Sequence, residues 1–160
     1  MPAPRSIGRF HLDALIATWF GVGLFPYAPG TIGSLAALPF AWLISTYLGP
    51  LGLAVGVIVV YLAGIWASGR YAKRRGIADP GPVVVDEVAG QWLALILVPP
   101  GFITLAIGFA FFRLFDVIKP WPISAIDRRV KGGLGVMSDD LLAGALAAIL
   151  TWNVWIWIPP

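Results

Sequence analysis

The stretch TIGSLAALPFAWLISTYLGPLGLAVGVIVVYLAGIWASG, residues 31–69, carries no charged side chain, and its one strong turn signal is Gly49-Pro50. It lies inside a longer uncharged run of 56 residues between Asp13 and Arg70. A bilayer core of about 30 Å is crossed by about 20 apolar helical residues. The spacing therefore predicts two membrane helices, residues 31–48 and 51–69, joined by a minimal turn. Pro39 is a candidate kink in the first.

Outward from this stretch the same pattern recurs. No Asp, Glu, Lys or Arg occurs from Val88 to Phe112, or from Leu141 to the C-terminus. Residues 83–98 read as a third, short helix, broken by Pro99-Pro100-Gly101; residues 102–119 read as a fourth and 139–158 as a fifth. Residues 76–82 and 120–138 read as polar loops. Residues 10–25 are apolar but hold His11, Asp13 and two glycines, and read as an interfacial or re-entrant half-helix. Residues 1–10 lack the apolar core and small-residue site of a cleavable signal and read as a mature N-terminus.

Composition agrees. Of 160 residues, 59% are hydrophobic and 12% charged, with eight Trp, nine Phe and a mean hydropathy of +0.86. A disordered chain cannot carry that much apolar surface, and a soluble monomer of this size has too few polar side chains to cover it. The expectation is one all-α polytopic membrane domain over residues 1–160, with about five helices crossing or entering the bilayer. A net charge of +3, scattered along membrane flanks, argues against a nucleic-acid partner.

Five alternating spans put the N-terminus, residues 70–83 and residues 120–138 on one side. All 11 Lys and Arg lie in or beside that set. The positive-inside rule places it in the cytoplasm. All eight acids lie on the same side or just inside its boundary, so the polar chemistry faces the cytoplasm.

Several chemistries are excluded outright. Zero cysteines remove thiolate catalysis and zinc–thiolate sites, and the single histidine removes a His pair. Neither a Gly-x-Ser-x-Gly elbow nor a P-loop is present. Carboxylates remain. Asp86 and Glu87 open the third helix and Asp139 and Asp140 the fifth, both on the same side. Each pair precedes a small residue, Gly90 or Gly144, four residues after an acid. Ionisable groups at membrane depth are costly and mark function, and carboxylates of this kind suit Mg²⁺ with substrate phosphate oxygens. The competing view is ordinary helix capping. Gly90 and Gly144 would let two helix backbones approach and bring the acids together; generic helix packing is the plainer account.

Arg113, Asp116 and Lys119 are spaced i, i+3, i+6 on one helical face, next to Pro120-Trp121-Pro122. Basic groups beside carboxylates are what phosphate binding near a divalent ion requires; a snorkelling basic flank is the alternative. Thr31 to Ser34, after a Gly- and Pro-rich turn, form a helix start of the kind that binds anions, or a plain tight turn.

At these residues the chain resembles a known family. GVGLFPYAPGTIGSLAALP (21–39), VDEVAGQW (85–92), FRLFDVIKPWPI (112–123) and SDDLLAG (138–144) are similar, in this order, to the motifs of the phosphatidylglycerophosphatase A family. The resemblance runs from about His11 to Gly144. It implies a helical phosphatidylglycerophosphatase A-like fold in a bacterial inner membrane and a Mg²⁺-dependent phosphatase acting on the phospholipid phosphatidylglycerophosphate.

On this reading Asp86, Glu87, Asp139 and Asp140 bind Mg²⁺, which polarises the phosphoryl group and activates water. Thr31, Ser34, Arg113 and Lys119 hold phosphate oxygens. Asp116 is a metal ligand or a general base, and His11 is a proton donor to the leaving oxygen or an interfacial anchor. Asp86, Asp140 and Lys119 are placed among the catalytic groups with Asp116 and His11. The nucleophile stays open between activated water and a carboxylate. A rival class is a small cation transporter with buried acids, for which Arg113 and Lys119 beside the site would have no use. An alcohol phosphotransferase would need a longer Asp array than this chain has.

Overall fold

The computed structural model describes residues 11–158 and shows six α-helices and no strand among them. They are α1 (Leu12–Ala17), α2 (Pro29–Arg75), α3 (Val85–Ala94), α4 (Phe102–Ile118), α5 (Ile123–Arg129) and α6 (Gly132–Trp155), with a short 3₁₀ turn at Val22–Leu24. The predicted mature N-terminus, residues 1–10, lies outside the described residues.

Helix α2 is two limbs rather than one rod. Gly49 leaves helical geometry at φ 66°, ψ −170°, a left-handed φ that glycine adopts without a Cβ penalty. Residues 12 apart in a straight helix are separated by about 18 Å. Yet a Cβ on Gly56 would lie 3.8 Å from Ile44 Cδ1, so the chain doubles back. Pro39 is carried within the first limb; the break falls at Gly49. The second limb continues past the expected end at residue 69 to Arg75, where Lys73, Arg74 and Arg75 complement the negative end of the helix dipole.

The limbs of α2 enclose α3 from one side and α6 closes the other. Gly33 on the first limb meets Val84, and Gly64 on the second meets Val85 and Met137. Trp92 Nε1 donates to the Ala37 carbonyl oxygen at 2.9 Å, and Tyr61 shares a 2.9 Å hydroxyl pair with Ser138. Leu53, Val57, Val85, Val88, Trp92 and Met137 form the core of this contact. A second cluster, Ala94, Phe112, Ile123, Ala143 and Ala147, joins α3, α4, α5 and α6. Leu12, Leu48, Leu51, Phe102, Ile118 and Trp157 are outward-facing, a polarity opposite to that of a water-soluble surface.

Among the described residues, two helices, Pro29–Arg75 and Gly132–Trp155, are long and apolar enough to cross a membrane. Four expectations change in detail. Helix α3 covers ten residues, about 15 Å, and so is shorter than the predicted 83–98 span; residues 95–98 continue it only as turns. The half-helix of residues 10–25 reduces to α1 and the 3₁₀ turn. The polar loop 120–138 contains α5. The last helix starts at Gly132, seven residues before Asp139, because Gly133 and Val136-Met137 pack on α2 and are drawn into helix by that contact.

Candidate functional site

The start of α6 changes the reading of the acids. Asp139 and Asp140 do not open a helix but lie two turns inside one, buried, so capping does not explain them. Asp86 and Glu87 do occupy the first turn of α3, next to an N-cap residue, Val84, that supplies no side-chain bond. The backbones of α3 and α6 touch at Gly90 and Gly144: a Cβ on Gly144 would lie 2.9 Å from Gly90 Cα, closer than any side chain allows. This crossing, one turn from Asp86 and one turn from Asp140, brings the acidic segments together.

Asp86, Glu87 and Asp140 each offer a carboxylate oxygen within 4.8 Å of the others. Asp86 Oδ1 and Glu87 Oε2 are buried and make no hydrogen bond. Hard oxygen donors, clustered, buried and unpaired, fit a divalent cation such as Mg²⁺. Asp116, on α4, borders Glu87 and Asp140 and is paired with Arg113 one turn earlier.

Asp139 does not join the three-carboxylate group. Its Oδ2 accepts from Lys119 Nζ at 2.5 Å, while Oδ1 stays buried and unpartnered. Lys119 also donates to Asp127 Oδ1 at 3.2 Å. Burial by itself would lower the Lys119 pKa, but Asp139 and then Asp127 outweigh it and hold the ammonium above its ordinary range. Lys119 caps α4 with a left-handed backbone, φ 46°, an uncommon conformation for a residue with a Cβ. Ala28, before α2, is left-handed as well, φ 45°, and borders the same cavity.

That cavity has a volume of about 420 Å³ and opens at the end of the bundle that bears the charges. Seven of the chain's eight acids line it: Asp79, Asp86, Glu87, Asp116, Asp127, Asp139 and Asp140. Against them stand, among the described residues, Arg113, Lys119 and Lys131. With all groups ionised the formal charge is −4. Gly30 and Thr31, in the first turn of α2, also line it, and the N-cap residue Ala28 provides no side-chain cap for their N–H groups.

Two expected residues lie elsewhere. Ser34 is fully buried, does not border the cavity, and donates its hydroxyl to the Gly30 carbonyl oxygen at 2.8 Å, one turn back in its own helix. His11 is exposed at the start of α1 and does not line the cavity. The structure adds Asp79, Asp127 and Lys131, which the sequence reading left as loop charges; their position on the charged side of the chain was the one available signal. Asp13, the eighth acid, is buried beside Arg74 Nε at 3.3 Å and ties α1 to the end of α2.

The sequence model of a family described as phosphatidylglycerophosphatase A matches residues 15–155. The chain is 42% identical over 154 residues to a phosphatidylglycerophosphatase A of Escherichia coli strain K12, covering 92% of this chain and 89% of the relative. It is 33% identical over 155 residues to a phosphatidylglycerophosphatase A of Haemophilus influenzae, covering 96% and 95%. A protein of Bacteroides thetaiotaomicron described as a candidate phosphatidylinositol-3-phosphatase is 40% identical over 147 residues, covering 87% and 91%. No solved structure matches.

Proposed function

The chain belongs to the phosphatidylglycerophosphatase A family and is a phosphoric monoester hydrolase, and from that premise we propose that it removes the terminal phosphate of phosphatidylglycerophosphate in a Mg²⁺-dependent reaction. It does so as a five-span protein of the bacterial inner membrane, its cavity facing the cytoplasm. Support for the topology is the alternation of α2's two limbs, α3, α4 and α6, with the basic residues among those described gathered at one end. Helix α3 enters the bilayer and completes its path through the turns at 95–98.

The observation that carries the metal reading is the imbalance of seven carboxylates against three cations around one cavity. A phosphomonoester is itself anionic, and in a partly desolvated site its repulsion from those acids is strong. The pocket accepts it only with cationic charge added. Asp86, Glu87 and Asp140 would hold Mg²⁺, which when bound supplies positive charge to the phosphoryl oxygens and lowers the pKa of water.

The remaining steps belong to the chain. Arg113, Lys119 and the free N–H groups of Gly30 and Thr31, with the Thr31 hydroxyl, bind the phosphate oxygens. Asp116, lining the cavity outside the three-carboxylate group, takes a proton from the attacking water. As the phosphorus–oxygen ester bond breaks, charge builds on the leaving oxygen, the Lys119 ammonium gives it a proton, and the proton that Asp116 took from water restores Lys119. The products are phosphate and the lipid alcohol, phosphatidylglycerol. A cation pathway is disfavoured, because Arg113 and Lys119 sit among the acids.

The test is phosphate release by detergent-solubilised protein from phosphatidylglycerophosphate, phosphatidylinositol 3-phosphate, phosphatidic acid and a soluble phosphomonoester, with and without EDTA. Phosphatidylglycerophosphate should be the best substrate, chelation should abolish turnover and Mg²⁺ restore it, and Asp86→Asn and Asp140→Asn should each lose at least ~10²-fold. Full turnover in excess EDTA would remove the metal from the reaction. A preference for phosphatidylinositol 3-phosphate would move the substrate assignment to that of the Bacteroides relative's description.

A further inference from the structure

Gln91 is fully buried on α3, and neither its Oε1 nor its Nε2 has a hydrogen-bond partner. A buried primary amide without partners is expensive, more so at membrane depth, where no bulk water can satisfy it. Packing does not call for an amide there, since Leu or Met would fill similar space with nothing to satisfy. The cavity does not reach Gln91, and no step above uses it.

Its place on the helix supplies the reason. Gln91 follows Glu87 by four residues, on the same face and one turn deeper. Glu87 Oε2 is the other buried, unpartnered oxygen on that face. Side chains at this spacing start about 5–6 Å apart at Cβ. One water hydrogen-bonded to both ends spans roughly 5.5 Å, two bonds of ordinary length. Glu87 Oε1 lies toward Gly30 and Arg113, so Oε2 is the oxygen left for the cation, and its second lone pair is open to a bridging water.

We propose that Gln91 is a positioning residue for Glu87: its amide N–H holds the inner carboxylate oxygen through one buried bridging water and so fixes the orientation in which Glu87 meets the cation. The inference rests on the metal reading above. Outer partners of metal-binding carboxylates act in this way, and their loss weakens metal affinity about 10–100-fold. A merely structural Gln91 would behave differently: its replacement would lower the unfolding temperature and leave metal affinity unchanged, whereas replacing a buried amide that has no protein partner by an apolar side chain of similar size leaves stability unchanged or raises it.

The experiment measures Mn²⁺ binding by electron paramagnetic resonance, and thermal unfolding without metal, on purified wild type and Gln91→Leu in detergent. Gln91→Leu should bind Mn²⁺ about tenfold more weakly while unfolding at the wild-type temperature or above. Should Gln91→Leu not fold, Gln91→Asn, which keeps the amide but draws it back by one methylene, carries the same comparison. Mn²⁺ affinity equal to wild type in the folded variant overturns the inference alone. A wild type that binds no Mn²⁺ overturns the metal reading and this inference with it.

Discussion

Gly144→Ala adds one methyl group at the crossing of α3 and α6, and its effect can be worked from the contact it would make. The new Cβ would lie 2.9 Å from Gly90 Cα, and closer still to the Gly90 carbonyl oxygen. Carbon atoms pack best at about 3.5–4.0 Å, so the helices must separate by roughly 0.6–1 Å. Asp140 lies one turn from Gly144, and Asp86 one turn from Gly90, so the shift opens the group whose oxygens lie within 4.8 Å. A misplacement of about 1 Å at a reacting centre costs on the order of 10²-fold in rate.

The helix itself should not suffer, because alanine is favoured over glycine in a helix interior by about 1 kcal/mol, against roughly 1–3 kcal/mol for overpacking. The expected result is a folded protein with unchanged helical circular dichroism, kcat/KM down about 10–100-fold and a raised Mg²⁺ requirement. Gly101→Ala is the control, since its Cβ would meet only Thr104 Oγ1, at an ordinary 3.5 Å. A folded Gly144→Ala with wild-type turnover and Mg²⁺ dependence would refute the argument that this close approach sets the carboxylate geometry.

Lys119→Ala should lower kcat more than it raises KM, and Lys119→Arg should be impaired as well, because a planar guanidinium does not reproduce an ammonium at 2.5 Å from Asp139; near-wild-type turnover of Lys119→Arg would mark a membrane-anchoring lysine instead. Ser34→Ala and His11→Ala should keep close to full activity, since neither residue borders the cavity; a large fall in kcat for either, measured on folded protein, would contradict that placement. For topology, a cysteine at exposed Pro100 should react with an impermeant thiol reagent from the periplasm and one at exposed Ile77 should not; the reverse pattern would invert the orientation.

Much of this protein was legible in its sequence because a bilayer imposes one-dimensional rules. Charge-free runs of membrane length, Gly49-Pro50 and Pro99-Pro100 as breaks, and the clustering of Lys and Arg between those runs are properties of order along the chain. They specified helices and turns, and spacing marked Asp86, Glu87, Arg113, Asp116, Lys119, Asp139 and Asp140 as candidates while leaving helix capping and plain packing as rival accounts. What depends on which face of one helix meets which face of another could be settled only by the tertiary structure. The start of α6 at Gly132 comes from packing against α2, a contact invisible in local propensity, and it turns Asp139 and Asp140 from apparent caps into buried acids. The division of that pair, Asp140 to the carboxylate group and Asp139 to Lys119, is a matter of the 100° turn between successive helical residues set against fixed neighbours. For the same reason Ser34 faces inward to its own helix while Thr31, three residues earlier, reaches the cavity.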